Sequence, residues 1–113
     1  MSAPASPEPL RVAVFASGRG SNLQALHQAA SVGELPVQIV GVFSDKADSA
    51  AIGYANIQGM AHTALDPKTF SGREAFDTAL MQAAGAVNPE LIVCAGFMRI
   101  ISETGIAKAP CPM

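Results

Sequence analysis

The sequence contains little of what several classes of protein require. Among its 113 residues there is no tryptophan, 5% are aromatic and only 14% carry a charge. The formal net charge of −2 lacks the basic excess with which nucleic-acid-binding proteins neutralise phosphates. No apolar run approaches the roughly 20 residues that cross a bilayer. We therefore expect neither a nucleic-acid partner nor a membrane partner.

The chain is also poor in cysteine and in recognisable targeting signals. Cys94 and Cys111 belong to no Cys/His pattern with ligand spacing, so we expect free thiols, no metal site and a cytoplasmic location. Residues 1–10 lack the basic and apolar regions of a signal peptide. Their prolines and small side chains predict a disordered leader.

What is present is an alternation of apolar runs and helical patterns, with half of all residues hydrophobic. Strands are predicted over 11–16, 37–43, 61–65 and 91–95. Helices are predicted over 21–32, 51–59, 73–87 and, N-capped by Ser102, 101–108. Strands separated by single helices predict an α/β fold, a doubly wound Rossmann-like, mainly parallel sheet in the order 3-2-1-4. One domain would span 11–108, followed by a tail over 109–113.

The predicted strand order places a ligand site at one edge of the sheet. The direction of winding reverses between strands one and four, and ligands bind outside the carboxyl ends of the strands at such a reversal. The loops leaving those two strands are SGRGSN and GFMRII. We therefore expect these two loops to face each other across a cleft.

The first of these loops resembles a phosphate-binding turn. Gly18 and Gly20 allow positive φ and a close approach of backbone to ligand, and Ser21 and Asn22 begin a helix whose first amides suit an anion. The alternative is that all four are only turn and N-cap residues. No lysine follows as in a P-loop, and Leu23 replaces the third glycine of a dinucleotide fingerprint.

Three further polar residues have both a functional and a structural interpretation. Asp45, after the second strand, is either the ribose-binding acid of a dinucleotide site or, as we favour, a solvated loop carboxylate. His27 lies at the edge of an apolar helix stripe, where a partly buried non-catalytic histidine is expected. His62 begins the third strand and carries no further signal.

Four segments together resemble phosphoribosylglycinamide formyltransferase: SGRGSNLQAL, VFSDKADSAAIGYA, SGREAFD and AGFMRIIS. The resemblance covers residues 11 to about 105. It implies transfer of a formyl group from 10-formyltetrahydrofolate to glycinamide ribonucleotide in purine biosynthesis. Both partners are small molecules, and the folate is a co-substrate.

The resemblance also implies roles for particular residues. The substrate's phosphate and ribose would be held by Gly20, Ser21 and Asn22. The folate would be contacted by Arg73 and, around its pteridine ring, by Met98, Arg99, Ile100 and Ile101. An arginine such as Arg99 can instead pair with a helix carboxylate, and that alternative stays open.

The resemblance assigns the chemistry of formyl transfer to residues that this sequence does not contain. These are an Asn and a His in an N-I-H-P-S segment and a later Asp, so we predict no catalytic residue here. We expect a truncated or frameshifted product with APCPM as an out-of-place ending. Its fourth strand would be an exposed apolar edge open to self-association. The alternatives are a non-catalytic phosphate- or folate-binding fragment and, less favoured, a dinucleotide-binding domain.

Overall fold

Short β-branched and apolar runs form a parallel sheet, and the segments between them form helices. The computed structural model describes residues 9–97 and 101–113. The strands are β1 (Leu10–Phe15), β2 (Val37–Ser44), β3 (His62–Ala64) and β4 (Leu91–Cys94). The helices are α1 (Ser21–Ser31), α2 (Ala50–Ile57), α3 (Arg73–Gly85) and α4 (Glu103–Ala107), with a 3-10 turn at Pro67–Thr69.

The sheet has the strand order β3-β2-β1-β4, and all three pairings are parallel. This confirms the predicted doubly wound architecture with its reversal between β1 and β4. Central β1 pairs with both β2 and β4, and its register with β2 shifts between Val12 and Ala13. Because every strand runs the same way, all four carboxyl ends meet at one edge of the sheet.

Alternating residues of β1 divide the core into two clusters, one on each face of the sheet. Val12 and Val14 pack with Leu23 of α1 and with α2. Ala13 and Phe15 point the other way, into a second cluster that contains Phe43 of β2, Ile92 of β4 and the following residues of α3: Phe76, Leu80, Met81 and Ala84. Helices therefore cover both faces, as the nearly all-apolar strands require.

The predicted elements all exist, and their ends differ from the predicted ones by at most two residues. β1 begins at Leu10 and ends at Phe15, one residue earlier at both ends than expected. α2 ends at Ile57 because the chain turns at Gly59, which has a φ of 71°. α4 is N-capped by Ser102, whose Oγ accepts a hydrogen bond from the backbone N–H of Gly105 at 3.2 Å, as predicted.

The edge strand β4 is partly covered by the last residues of the sequence. The backbone N–H of Ile92 donates to the carbonyl oxygen of Pro112 at 2.8 Å. Ala109 and Cys111 pack against the second core cluster. Segment 109–113, which carried no signal in the sequence, therefore follows the outer side of the sheet and contacts the core.

The helices of this fold are short. Among residues 9–97 and 101–113, none is long and apolar enough to span a bilayer.

Candidate substrate-binding site

The loops that leave β1 and β4 meet at the carboxyl edge of the sheet. The backbone N–H of Ser17 donates to the carbonyl oxygen of Gly96 at 3.2 Å. A cavity of about 350 Å³ is lined by residues of both loops: Gly18, Arg19, Gly20, Ser21, Asn22, Ala95 and Gly96. The prediction that these two loops face each other is confirmed for the residues that the structure describes.

Gly20 is the residue that shapes the first loop. Its φ is 77°, a conformation that disfavours other residues, and a Cβ built on it would lie 2.9 Å from the Cα of Ala51. Ala51 in turn donates its backbone N–H to the carbonyl oxygen of Gly18 at 3.3 Å, so α2 begins against the turn. The expectation of positive φ is wrong for Gly18, whose surroundings leave open space for a Cβ.

Helix α1 begins directly beside the cavity and offers its amino terminus to it. No side chain caps this helix, and its first turn contains no acidic residue. Ser21 and Asn22 are exposed. Because the first amides of a helix carry a partial positive charge, this end of α1 is suited to an anion.

The second loop lies next to Asn22. Gly96 has a φ of 76°, and a Cβ built on it would lie 3.9 Å from Nδ2 of Asn22. The ring of Phe97 packs on Phe15, with 5.5 Å between centroids. This contact ties the start of the loop to the core.

Of the four residues expected around the pteridine, one can be placed. Ile101 is half-buried and packs against the second core cluster. Met98, Arg99 and Ile100 lie outside the described residues, so their predicted roles stay predictions.

Arg73 is exposed and is the first residue of α3. α3 leads from the carboxyl end of β3 back to the amino end of β4, so Arg73 lies at the same edge of the sheet as the cavity. It is not among the residues that line the cavity itself. Its contact with a folate stays a prediction.

The structure corrects the expectation for Asp45. Its side chain is only 8% exposed and is not solvated, and its Oδ1 is buried without a hydrogen-bond partner among the described residues. Asp45 lines a separate cavity of about 610 Å³ beyond β2 and β3, together with the charged residues Lys46, Asp48, Asp66 and Lys68.

Both histidines lie away from the candidate site and have structural contacts. His27 is half-buried as expected, and its Nδ1 lies 2.6 Å from the hydroxyl of Tyr54, which joins α1 to α2. His62 is exposed at the start of β3, with Nδ1 2.9 Å from the carbonyl oxygen of Met60. Neither histidine lines the cavity between the two loops.

The two cysteines are free thiols, as expected. Partial burial raises the pKa of the Cys94 thiol, and burial also raises the pKa of the Cys111 thiol. Across the described ranges, no three His, Cys, Asp or Glu side chains are grouped so that they would hold a metal ion.

One buried carboxylate, at the contact between α3 and α4, was missed by the sequence reasoning. Asp77 of α3 is 1% exposed, and its Oδ2 accepts the backbone N–H of Ser102 at 2.7 Å. The available signal was its place in the apolar stripe of α3, directly after Phe76, where an exposed acid was not to be expected.

Comparison with known proteins identifies the family to which this architecture belongs. The family model described as formyl transferase matches residues 10–113. Phosphoribosylglycinamide formyltransferase of Escherichia coli (strain K12) is 38% identical over 98 residues, which are 87% of this chain and 46% of that protein. The human trifunctional purine biosynthetic protein adenosine-3 is 36% identical over 98 residues, 10% of its length.

Solved structures agree with these relatives. Glycinamide ribonucleotide transformylase 1 from Symbiobacterium toebii superposes with a TM-score of 0.86 at 31% identity, covering 93% of this chain and 50% of that one. Phosphoribosylglycinamide formyltransferase from Brucella melitensis gives 0.82 at 39% identity, covering 88% and 52%. The chain thus spans about half the length of these bacterial relatives. None of the four proteins supports the dinucleotide-binding alternative. Since the family model matches nearly the whole sequence, the chain belongs to the formyl transferase family.

Proposed function

We propose that this chain forms the substrate-binding part of a phosphoribosylglycinamide formyltransferase, which transfers a formyl group from 10-formyltetrahydrofolate to glycinamide ribonucleotide in purine biosynthesis. The observation that carries the proposal is the cavity shared by the loops after β1 and β4. It brings an anion-binding helix terminus next to the loop that the family resemblance assigns to the folate. Purine biosynthesis and free thiols both agree with a cytoplasmic location.

The phosphate of the ribonucleotide would bind at the start of α1. The uncapped amides there and the dipole behind them favour a dianion, and the exposed Ser21 and Asn22 can add a hydroxyl and a carboxamide donor. Gly20 allows the backbone to form this turn against Ala51. The ribose would follow in the cavity beside the loop after β4.

The folate would lie on the side of β4. A planar heterocycle binds best in an apolar slot with a few fixed polar groups. The half-buried Ile101 supplies apolar surface near this loop, and the open carboxyl edge leaves the exposed Arg73 available to the folate's carboxylates. These positions support binding of the folate beside the loop after β4.

Formyl transfer itself needs groups beyond binding. The substrate amine attacks the formyl carbon, an oxyanion develops that needs fixed donors, and the amine must lose a proton. His27 and His62 are the chain's only histidines, and both lie away from the cavity. We therefore propose that this chain binds and orients the two substrates without accelerating transfer by itself.

A titration with glycinamide ribonucleotide, tetrahydrofolate and NAD tests the proposal. Asn22→Ala should weaken binding of the ribonucleotide by about 1.5–3 kcal/mol, roughly 10- to 150-fold in Kd, because one hydrogen bond to a charged phosphate is lost. Isothermal calorimetry measures the change directly.

The matched control is Asn56→Ala, which removes an exposed asparagine from α2. This variant should bind the ribonucleotide as the unaltered chain does. Equal affinity in the Asn22 variant would refute the phosphate role of the turn, and binding of NAD alone would refute the proposed substrates.

A further inference from the structure

Helices α3 and α4 are joined by a buried carboxylate whose partner follows the loop after β4. Asp77 and Ser102 are 25 residues apart, and the 2.7 Å between Oδ2 and the backbone nitrogen is the length of a charge-assisted hydrogen bond. With 1% of its surface exposed, Asp77 makes this bond in the interior, where water competes little.

The residues around the Asp77–Ser102 hydrogen bond are closely packed. A Cβ built on Gly105 would lie 2.7 Å from the Cβ of Asp77 and 2.8 Å from Cγ2 of Ile101, so only glycine lets the three residues approach this closely. At the rim, the hydroxyl of Thr104 donates to Oε1 of Glu74 at 3.2 Å. The first turn of α4 is therefore seated on the first half of α3.

Burying the Asp77 carboxylate costs more free energy than a purely structural contact would require. Its Oδ1 is buried and accepts no hydrogen bond from any residue in the described ranges. A buried carboxylate with an unpartnered oxygen costs stability, and apolar residues of similar size often serve as well or better where only packing is needed. The one thing that an apolar residue cannot do here is hold the Ser102 amide.

We propose that Asp77 is a positioning residue for folate binding, which acts by fixing the backbone at Ile101 and Ser102. This inference rests on the proposed function. The start of the loop after β4 is fixed by the Ser17–Gly96 hydrogen bond, and Asp77 fixes the point where the chain enters α4. Ile101, one residue before the anchored amide, is thereby held where it packs against the second core cluster, and it is the described residue that the family resemblance assigns to the pteridine.

Two variants of Asp77 separate positioning from stability. Asp77→Ala removes the acceptor, whereas Asp77→Asn keeps an oxygen for the Ser102 amide and replaces the other oxygen with an uncharged amide nitrogen. NMR titrations with tetrahydrofolate and with ribose 5-phosphate give the two dissociation constants. We expect Asp77→Ala to raise the dissociation constant of tetrahydrofolate at least tenfold. The dissociation constant of ribose 5-phosphate should rise less than twofold. In Asp77→Asn, both dissociation constants should stay within about threefold of their values in the unaltered chain.

A second pair of variants removes the donor and keeps the Asp77 side chain. Ser102 has a φ of −67°, which proline allows, so Ser102→Pro deletes the N–H, and its Cδ takes the place of that hydrogen and displaces the Asp77 carboxylate. Ser102→Ala is its control, because it loses the capping hydroxyl and keeps the N–H. The dissociation constant of tetrahydrofolate should rise much more in Ser102→Pro than in Ser102→Ala.

Hydrogen exchange of the Ser102 amide tests the anchor without any ligand. Asp77→Ala should speed this exchange at least tenfold relative to amides in β1. Unchanged exchange, or equal weakening of both ligands, would overturn the positioning role. An unaltered chain that binds no tetrahydrofolate would instead contradict the proposed function, whatever the exchange rates are.

Discussion

Gly20 is required twice over, by its backbone angle and by its neighbour. An alanine there would need a left-handed backbone conformation, and its methyl group would lie under 3 Å from the backbone of Ala51. Gly18, two residues earlier in the same turn, meets neither restriction. The two glycines are therefore equivalent in the sequence motif and different in the structure.

This difference predicts unequal effects of alanine. Gly20→Ala should lower the free energy of unfolding by about 1–3 kcal/mol, the usual cost of a strained backbone conformation, and should weaken phosphate binding. Gly18→Ala is the control and should change stability by less than about 1 kcal/mol. Urea denaturation of both variants gives the comparison, and equal destabilisation would contradict the role assigned to Gly20.

At the scale of single elements, Ser49 connects the end of β2 with the start of α2. Its Oγ accepts the backbone N–H of Ile52 at 3.3 Å and donates to the hydroxyl of Ser44 at 3.2 Å. Ser44 also accepts the backbone N–H of Lys46 at 3.1 Å. Because α2 supports the Gly18–Gly20 turn through Ala51, this buried cap also holds the candidate site in place.

Ser49→Ala should therefore destabilise the chain by about 1–2 kcal/mol, as the loss of a helix N-cap does elsewhere. The matched variant is Ser31→Ala at the exposed end of α1, where the hydroxyl donates only to the carbonyl oxygen of His27. Thermal unfolding followed by circular dichroism compares the two. A melting temperature that falls equally in both would argue against a special role for the α2 cap.

The elements were predictable because burial dictates them. A run such as LIVCA has no polar face, so it fits only a strand covered on both sides, and the β/α alternation then leaves few topologies. The ends of elements were less predictable: β4 stops at Cys94 because Gly96 turns the chain with a positive φ.

The cavity between the first and fourth loops followed from the strand order alone. The burial of Asp45 and the hydrogen bond between Asp77 and Ser102 could not be predicted in this way. Sequence periodicity does not show whether a particular carboxylate is buried or which amide donates to it. Both depend on contacts between residues distant in the chain, such as the 25-residue separation of Asp77 and Ser102.

At the scale of the whole molecule, residues 109–113 partly cover one edge of the sheet. Segment 109–113 gives Ile92 a hydrogen-bond acceptor and covers part of the second core cluster. Unpaired strand edges with apolar side chains promote association between chains. The expected self-association should thus be limited while this segment is in place.

Deleting residues 109–113 should lower the free energy of unfolding by about 1–3 kcal/mol, from the backbone hydrogen bonds of Ala109 and Pro112 and the apolar contacts of Ala109 and Cys111. It should also increase association, measured by light scattering after size-exclusion chromatography at rising concentration. Deleting only Met113, which is 44% exposed, is the control. A shortened chain that stays monomeric and equally stable would contradict the covering role.

The candidate site directly adjoins the core in the sequence. Ala16 and Ser17, directly before the Gly18 turn, are 0% and 2% exposed. Because these two residues continue the buried central strand, they are expected to separate only when that strand does, and a ligand that needs the folded cleft is lost at that step. Occupancy is therefore coupled to global unfolding: a ligand at a hundred times its Kd adds about 2.7 kcal/mol of protection, so ordinary melting curves report which small molecules the cleft accepts.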